Sequence, residues 1–349
     1  MSKEKAMKNT AATANMGRDN LAKLREFASK NAIVLVLLGL IVMIGIVRSS
    51  FLNPENLVNI LRISSVRAVI ALGVGGILIT RGTDLSAGRT VGLAAVIAAS
   101  LAQRPDYASK LFKDLPLLPL ALPVLAALGV GLLVGLLNGS IVAFLKVPPF
   151  IATLGMMVII YGAVSLYVDR PPMGAQPLGG LREDFTNIGT GDTFTIPNLI
   201  LIAGFVTVFI YVVLNKTTFG KNIYAIGGNP EAAVVSGVSV WKNTVLVYAI
   251  GGTLYGLAGA LLSARTGGAT NNYGQMYELD AIAACVIGGV STSGGIGTVG
   301  GMITGVLIFE VLNNGLVVLG VSAYWQQIVK GIIIVAAVAI DIQKYVRKR

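Results

Sequence analysis

The sequence has no histidine and only one cysteine in 349 residues. The first absence removes the commonest general base, proton relay and transition-metal ligand. The second excludes a disulfide framework, or a cysteine-based metal site, built from this chain alone. Cys285 lies in an apolar stretch, AIAACVIGG, where packing is its default role. No G-x-x-x-x-G-K-[ST] string is present, so nucleotide phosphates have no P-loop to rest in. Neither a metal nor a cofactor is expected. Charge is scarce too, at 12% of residues against about one quarter in a soluble domain.

Apolar residues fill the gap, at 54% of the chain with a mean hydropathy of +0.78. The fold class expected is an all-α polytopic membrane protein in contact with the lipid bilayer. A net charge of +11 invites a nucleic-acid reading, but the excess sits at the chain ends and in short gaps, with no aromatic platforms beside it. No nucleic-acid partner is expected.

About 20 apolar residues cross a bilayer, fewer where a segment is broken. Ten segments qualify, at 31–47, 66–80, 88–102, 118–145, 149–168, 197–214, 243–265, 279–293, 298–319 and 326–342. The stretch 53–67 has helical spacing and is read as the lead into the second of them. The first apolar run continues into RSSFLNPENL, not a small-residue cleavage pattern, so a retained span is expected and not a signal peptide. Lys and Arg concentrate in cytoplasmic loops. With both termini inside, the seven Lys/Arg up to Lys30, then Arg81, Arg89, Lys146, Lys216, Lys221, Lys242 and the tail from Lys344 all fall on that side. The domain reading is a basic cytoplasmic tail at 1–30, a membrane domain at 31–343 with a cytoplasmic loop at 215–242, and a basic tail at 344–349.

Glycine is abundant, at 43 residues. Gly131-x-x-x-Gly135 and Gly252-x-x-x-Gly256 have the spacing that lets helix backbones approach closely. Two other glycine-dense strings, GTDLSAG (82–88) and GGVSTSGGIG (288–297), interrupt spans. Non-helical backbone at membrane depth is tolerated only where it is buried in protein or lines a wet cavity, so these mark a candidate pathway. The first continues as Arg89-Thr90-Val91-Gly92 and the second as Thr298-Val299-Gly300, which raises an internal repeat as one reading.

In the loop between the sixth and seventh spans, Asn229 suits a helix cap, Pro230 the first helical position, Glu231 the positive end of the dipole, and Gly237 the residue just past the end. A helix from Pro230 to Ser236, isolated in an otherwise Gly-rich loop, is predicted. It is either a plain connector or a docking element that a partner covers.

GKNIYAIGGNPEAAVVSGVSV closely resembles the cytoplasmic coupling segment of permease subunits of bacterial ABC sugar importers, the ribose, galactose, arabinose and xylose group. ITRGTDLSAGRTVGLAA, LNGSIVAFLKVPPFIATLGMM, ATNNYGQMYELDAIAACVIGGVSTSGGIGTV and YWQQIVKG carry the resemblance through nearly everything after residue 55. It implies that Glu231, Ala232, Ala233 and Gly237, on the frame of Asn229 and Pro230, enter a cleft of a separate ABC ATPase subunit. It further implies a second permease copy, an extracytoplasmic sugar-binding protein, the bacterial inner membrane, and galactose or methyl-galactoside as cargo, with ribose or another pentose as the alternative. The N-terminal tail and the 170–192 loop match that pattern poorly.

Ionisable and amide groups within spans are functional candidates because burying them is expensive. Asp84, with Ser86 and Arg89, sits in the first break; it either contacts substrate, pairs with Arg81 or Arg89, or caps the next helix. Glu310, with Asn313 and Asn314 one turn on, lies in the ninth span, with Lys330 as its candidate partner. Asn271, Asn272 and Tyr273, followed by Glu278 and Asp280, are expected at an outer membrane edge, to receive the binding protein or cap the eighth span. Aromatics are few and scattered, so substrate contacts are expected to be weak. A gradient-driven transporter using Asp84 or Glu310 for coupling, and a non-transporting scaffold, are the competing classes.

Overall fold

A computed structural model describes residues 32–171, 174 and 176–346. The expected basic tail at 1–30 and the terminal Arg347, Lys348 and Arg349 lie outside the described residues. Among the described residues thirteen helices follow in order: α1 (Ala32–Val47), α2 (Pro54–Ile79), α3 (Ala87–Leu101), α4 (Ala121–Phe144), α5 (Pro149–Val168), α6 (Glu183–Thr190), α7 (Asn198–Lys216), α8 (Thr218–Gly228), α9 (Pro230–Val235), α10 (Val240–Thr266), α11 (Tyr277–Ile287), α12 (Val299–Val318) and α13 (Ala323–Val346). Ser49–Leu52 form a 3-10 turn, and Asp192–Thr193 pair antiparallel with Ile196–Pro197.

Each of the ten apolar segments contains a helix. Among the described residues, however, only α2, α4, α5, α7, α10, α12 and α13 are long and apolar enough to cross a bilayer on their own. The other three segments hold shorter helices among the described residues: α1, α3 and α11 have 16, 15 and 11 residues, about 24, 22 and 16 Å. The expected lead at 53–67 is correct in kind, because Asn53 caps a single helix that runs through to Ile79.

Small residues decide the core. α10 packs against α4, α3 and α2, and the two Gly-x-x-x-Gly pairs meet each other. A Cβ on Gly131 would collide with the Gly252 carbonyl, and one on Gly256 with the Ala127 carbonyl. α3, rich in alanine, is almost wholly enclosed by α10, α4 and α5. The outer helices α5 and α7 turn large apolar side chains outward, among them Leu166 and Phe205, as a lipid-facing surface requires. α13 packs along α11 and α12 and, through Asp341, reaches the 288–297 segment.

The described residues of the 169–196 loop form a packed cap. α6 lies on the end of α10 through buried Phe185 and Gly189, and isolated backbone bridges join Gln103 to Leu181 and Leu178 to Ala269. The Thr-Val-Gly strings also fall out of register. Thr90 lies inside α3 and bonds back to Ser86, whereas Thr298 is the N-cap of α12. The two breaks are thus not equivalent in helix phase.

Candidate functional site

At the end of the bundle that carries Arg81, α9 forms as its residues dictate. Asn229 Oδ1 accepts from the Glu231 and Ala232 N–H groups at 3.0 and 3.1 Å. At the other end Val238 N–H donates to Ala233 O and Gly237 N–H to Val234 O, the paired closure that needs a left-handed residue; Gly237 has φ +81°. Pro230 occupies the first helical position, and Ala233 alone faces inward. Glu231, Ala232, Val234 and Val235 are exposed, Val235 at 89%. A groove of about 840 Å³ opens beside it, lined by Val142, Phe144, Lys146, Pro148, Val234 and Trp241.

α9 is not isolated in a Gly-rich loop, as expected, because α8 directly precedes it. Thr217 caps α8, and the carbonyls at its far end are taken by a residue that the sequence pattern did not single out for this role. Arg81 Nε donates to Gly227 O at 2.7 Å and Nη2 to Gly228 O at 2.6 Å. Arg81 itself follows the end of α2, at φ +62°, and immediately precedes the first break. Gly295 N–H donates to Ile79 O at 2.8 Å and Tyr224 OH to Gly297 O at 2.8 Å, so the second glycine-rich segment meets the same junction. Asp341 on α13 holds that segment from the other side, accepting from Thr292 N–H and Thr292 OH, both at 2.9 Å. Neither Arg81 nor Asp341 gives a local signal; each partner is more than 45 residues away.

In the first break Asp84 is 1% exposed and accepts from Ser86 N–H and Ser86 OH at 2.9 and 2.7 Å. Asp84 closes a turn with Ser86 just ahead of α3 and pairs with neither arginine among the described residues: Arg81 goes to α8, and Arg89 lies over the Tyr161 ring and donates to Asn271 O. Asn138 Nδ2 donates to Ser86 Oγ at 2.8 Å, Thr153 reaches Leu85 N–H, and Tyr248 OH donates to Thr83 O. The cluster is closed: it fastens α3 to α4, α5 and α10.

The 270–276 segment packs against α3. A Cβ on Gly92 would meet the Tyr273 carbonyl, and one on Gly88 the Gly274 carbonyl and Glu278, which puts this segment against the first turns of α3. Asn271 and Tyr273 are half-buried and Asn272 exposed, with Asn271 Nδ2 on Ser165 Oγ at 3.2 Å. The N-termini of the two short helices α3 and α11 therefore lie close together, each with a carboxylate, Asp84 or Glu278, at its positive end.

Glu310 is not partnered as expected. Arg67 Nε stands 2.8 Å from Glu310 Oε1, while Lys330 Nζ approaches Asp280 Oδ2 at 3.4 Å. Arg67 Nη1 also donates to that Asp280 oxygen, at 2.6 Å. Asn314 exchanges amide bonds with Asn56 at 2.9 and 3.1 Å, tying α12 to the start of α2. Asn313 Nδ2 is buried without a protein partner among the described residues.

Residues 56–338 match the family described as branched-chain amino acid transport system / permease component. The chain is 51% identical over 327 residues to the galactose/methyl galactoside import permease protein MglC of Escherichia coli, covering 93% of this chain and 97% of that one. It is 50% identical over 328 residues to the protein of the same name from Haemophilus influenzae, with 93% and 97% covered. To the ribose import permease protein RbsC of Bacillus subtilis it is 39% identical over 309 residues, with 87% and 90% covered. No solved structure matches.

Proposed function

The chain belongs to the branched-chain amino acid transport system / permease component family of multi-spanning membrane proteins, and on that premise we propose that it is the pathway subunit of an ATP-driven sugar importer. Galactose or methyl galactoside is the cargo favoured, because relatives at 50–51% identity carry those names and the ribose relative stands at 39%. The observation that carries the mechanism is α9, a short helix stabilised at both ends with its apolar face outward. An exposed Val235 on a rigid helix calls for a covering partner, and a separate ATPase supplies one.

In this reading ATP hydrolysis belongs to that separate subunit. Motion of α9 passes to α8, and from α8 through Arg81 and the Gly295 contact into both glycine-rich breaks. A bistable element is needed for such motion to switch access between the two faces, and the short helices α3 and α11 between the breaks are its components. An extracytoplasmic binding protein delivers sugar at the face bearing α6, a second copy of the chain completes the pathway, and both termini lie in the cytoplasm of a bacterium whose inner membrane holds the complex. Glu231 and Gly237 engage the ATPase cleft; Asp84, Ser86 and Asn314 act as structural fasteners. The exposed Asn272 is the residue of its segment open to a docked protein.

The test is purification of the chain with its two-domain ATPase, followed by addition of a galactose-loaded binding protein. ATP hydrolysis should rise, and Glu231→Lys should abolish the rise. A chain that neither retains an ATPase nor changes its activity would defeat the proposal.

A further inference from the structure

Arg67 lies midway along the 26-residue α2, where a charge must be paired or wet. It is held on three sides, by Glu310, by Asp280 and by the Tyr277 ring at 5.1 Å. With Lys330, the four charges sum to zero: two cations and two carboxylates. The pairing is incomplete. A guanidinium has five N–H protons, and the carboxylates engage only part of them. Glu310 Oε1, though close to Arg67, accepts no aligned hydrogen bond.

Beside this cluster a cleft of about 470 Å³ runs between α11 and α13, within the roughly 300–1,000 Å³ range of small-molecule sites. Arg67, Gln275, Tyr277, Asp280, Gln327 and Lys330 line it. Gln275 and Gln327 are exposed there, and neither side-chain amide has a hydrogen-bond partner among the described residues. Lipid satisfies none of these groups, so the cleft must hold water or a polar solute. A neutral cluster does not concentrate ions. It does offer fixed donors and acceptors at close range, which is what hydroxyl groups need, since each hydroxyl both donates and accepts.

We propose that this cleft is a contact site for a neutral hexose in transit, with Gln275, Gln327 and the Asp280 carboxylate meeting its hydroxyls and Arg67 positioning Asp280. It rests on the sugar-import reading and goes beyond it by giving that pathway a place. The cleft also has a route to the driving end: Lys330 shares α13 with Asp341, which holds the second glycine-rich segment. Movement of that segment shifts one wall of the cleft.

The experiment uses the full chain with its ATPase and binding protein in proteoliposomes. Galactose uptake by the unaltered complex tests the import reading alone. Gln275→Ala and Gln327→Ala should each lower galactose uptake about fivefold, as expected for the loss of one hydrogen bond, while binding-protein-stimulated ATP hydrolysis stays unchanged. Cys285 is fully buried, so Gln327→Cys gives a single reactive thiol. A membrane-impermeant thiol reagent should modify it, and millimolar galactose should slow the modification severalfold where equal glycerol does not. Uptake at the unaltered level in both alanine variants, a thiol the reagent does not reach, or labelling indifferent to galactose would each overturn the site even if the unaltered complex imports galactose.

Discussion

Asn229 and Gly237 show how much two residues do for a six-residue helix. Replacing Asn229 by Ala strands two N–H groups and costs about 1 kcal/mol of local helix stability. Galactose uptake should fall, and Asn229→Asp should restore most of it, because the carboxylate accepts the same bonds. Gly237→Ala forces a Cβ into φ +81°, a penalty of roughly 1 kcal/mol, and should weaken retention of the ATPase on purification. These roles were legible in the sequence, since capping is local chemistry. Arg81 was not: its two carbonyl acceptors lie 146 and 147 residues on. Arg81→Ala should lower sugar moved per ATP hydrolysed, more than Arg81→Lys, which keeps a donor. In the packed cap, hydrogen bonding by Arg182 holds the Asp184 carboxyl below its ordinary value. A depressed value stabilises the folded form above the ordinary carboxylate range, and that contribution disappears as pH falls through the lowered value. Protection of the cap from protease should therefore weaken only in acid, and Asp184→Asn should remove that dependence.

Element by element, the α4–α10 contact depends on the absence of side chains. Gly131, Gly135, Gly252 and Gly256 let the two backbones touch, and the i, i+4 spacing announced it; which helices would meet it did not announce. Gly252→Leu overfills that contact by an amount typically costing about 1–3 kcal/mol. The thermal midpoint in detergent should drop, whereas Gly155→Leu, on α5 with nothing within 4 Å of the site, should leave it unchanged. α8 escaped prediction because TFGKNIYAIGG has three glycines and reads as loop; packing on α2 and the Arg81 bonds hold it helical. α3 and α11 were read as spans beside the glycine-rich breaks, and at 15 and 11 residues both are shorter than the usual 20.

At the scale of the whole molecule, uptake should continue under a protonophore as long as ATP is maintained, since Asp84 is locked to Ser86 and Glu310 faces Arg67. Collapse of uptake under those conditions would favour gradient coupling. The sequence by itself determined that this is a largely helical membrane chain, where its helices are interrupted, and how the short helix after Asn229 is capped. Those are matters of composition, periodicity and capping, each settled within a few residues. Only the tertiary structure decided that Asp84 seals a joint, that the 270–276 segment folds back onto α3, and that Arg67, and not Lys330, meets Glu310. The contacts that set these arrangements join residues 52 or more positions apart, and a linear pattern holds no information on which distant charge a buried carboxylate will find.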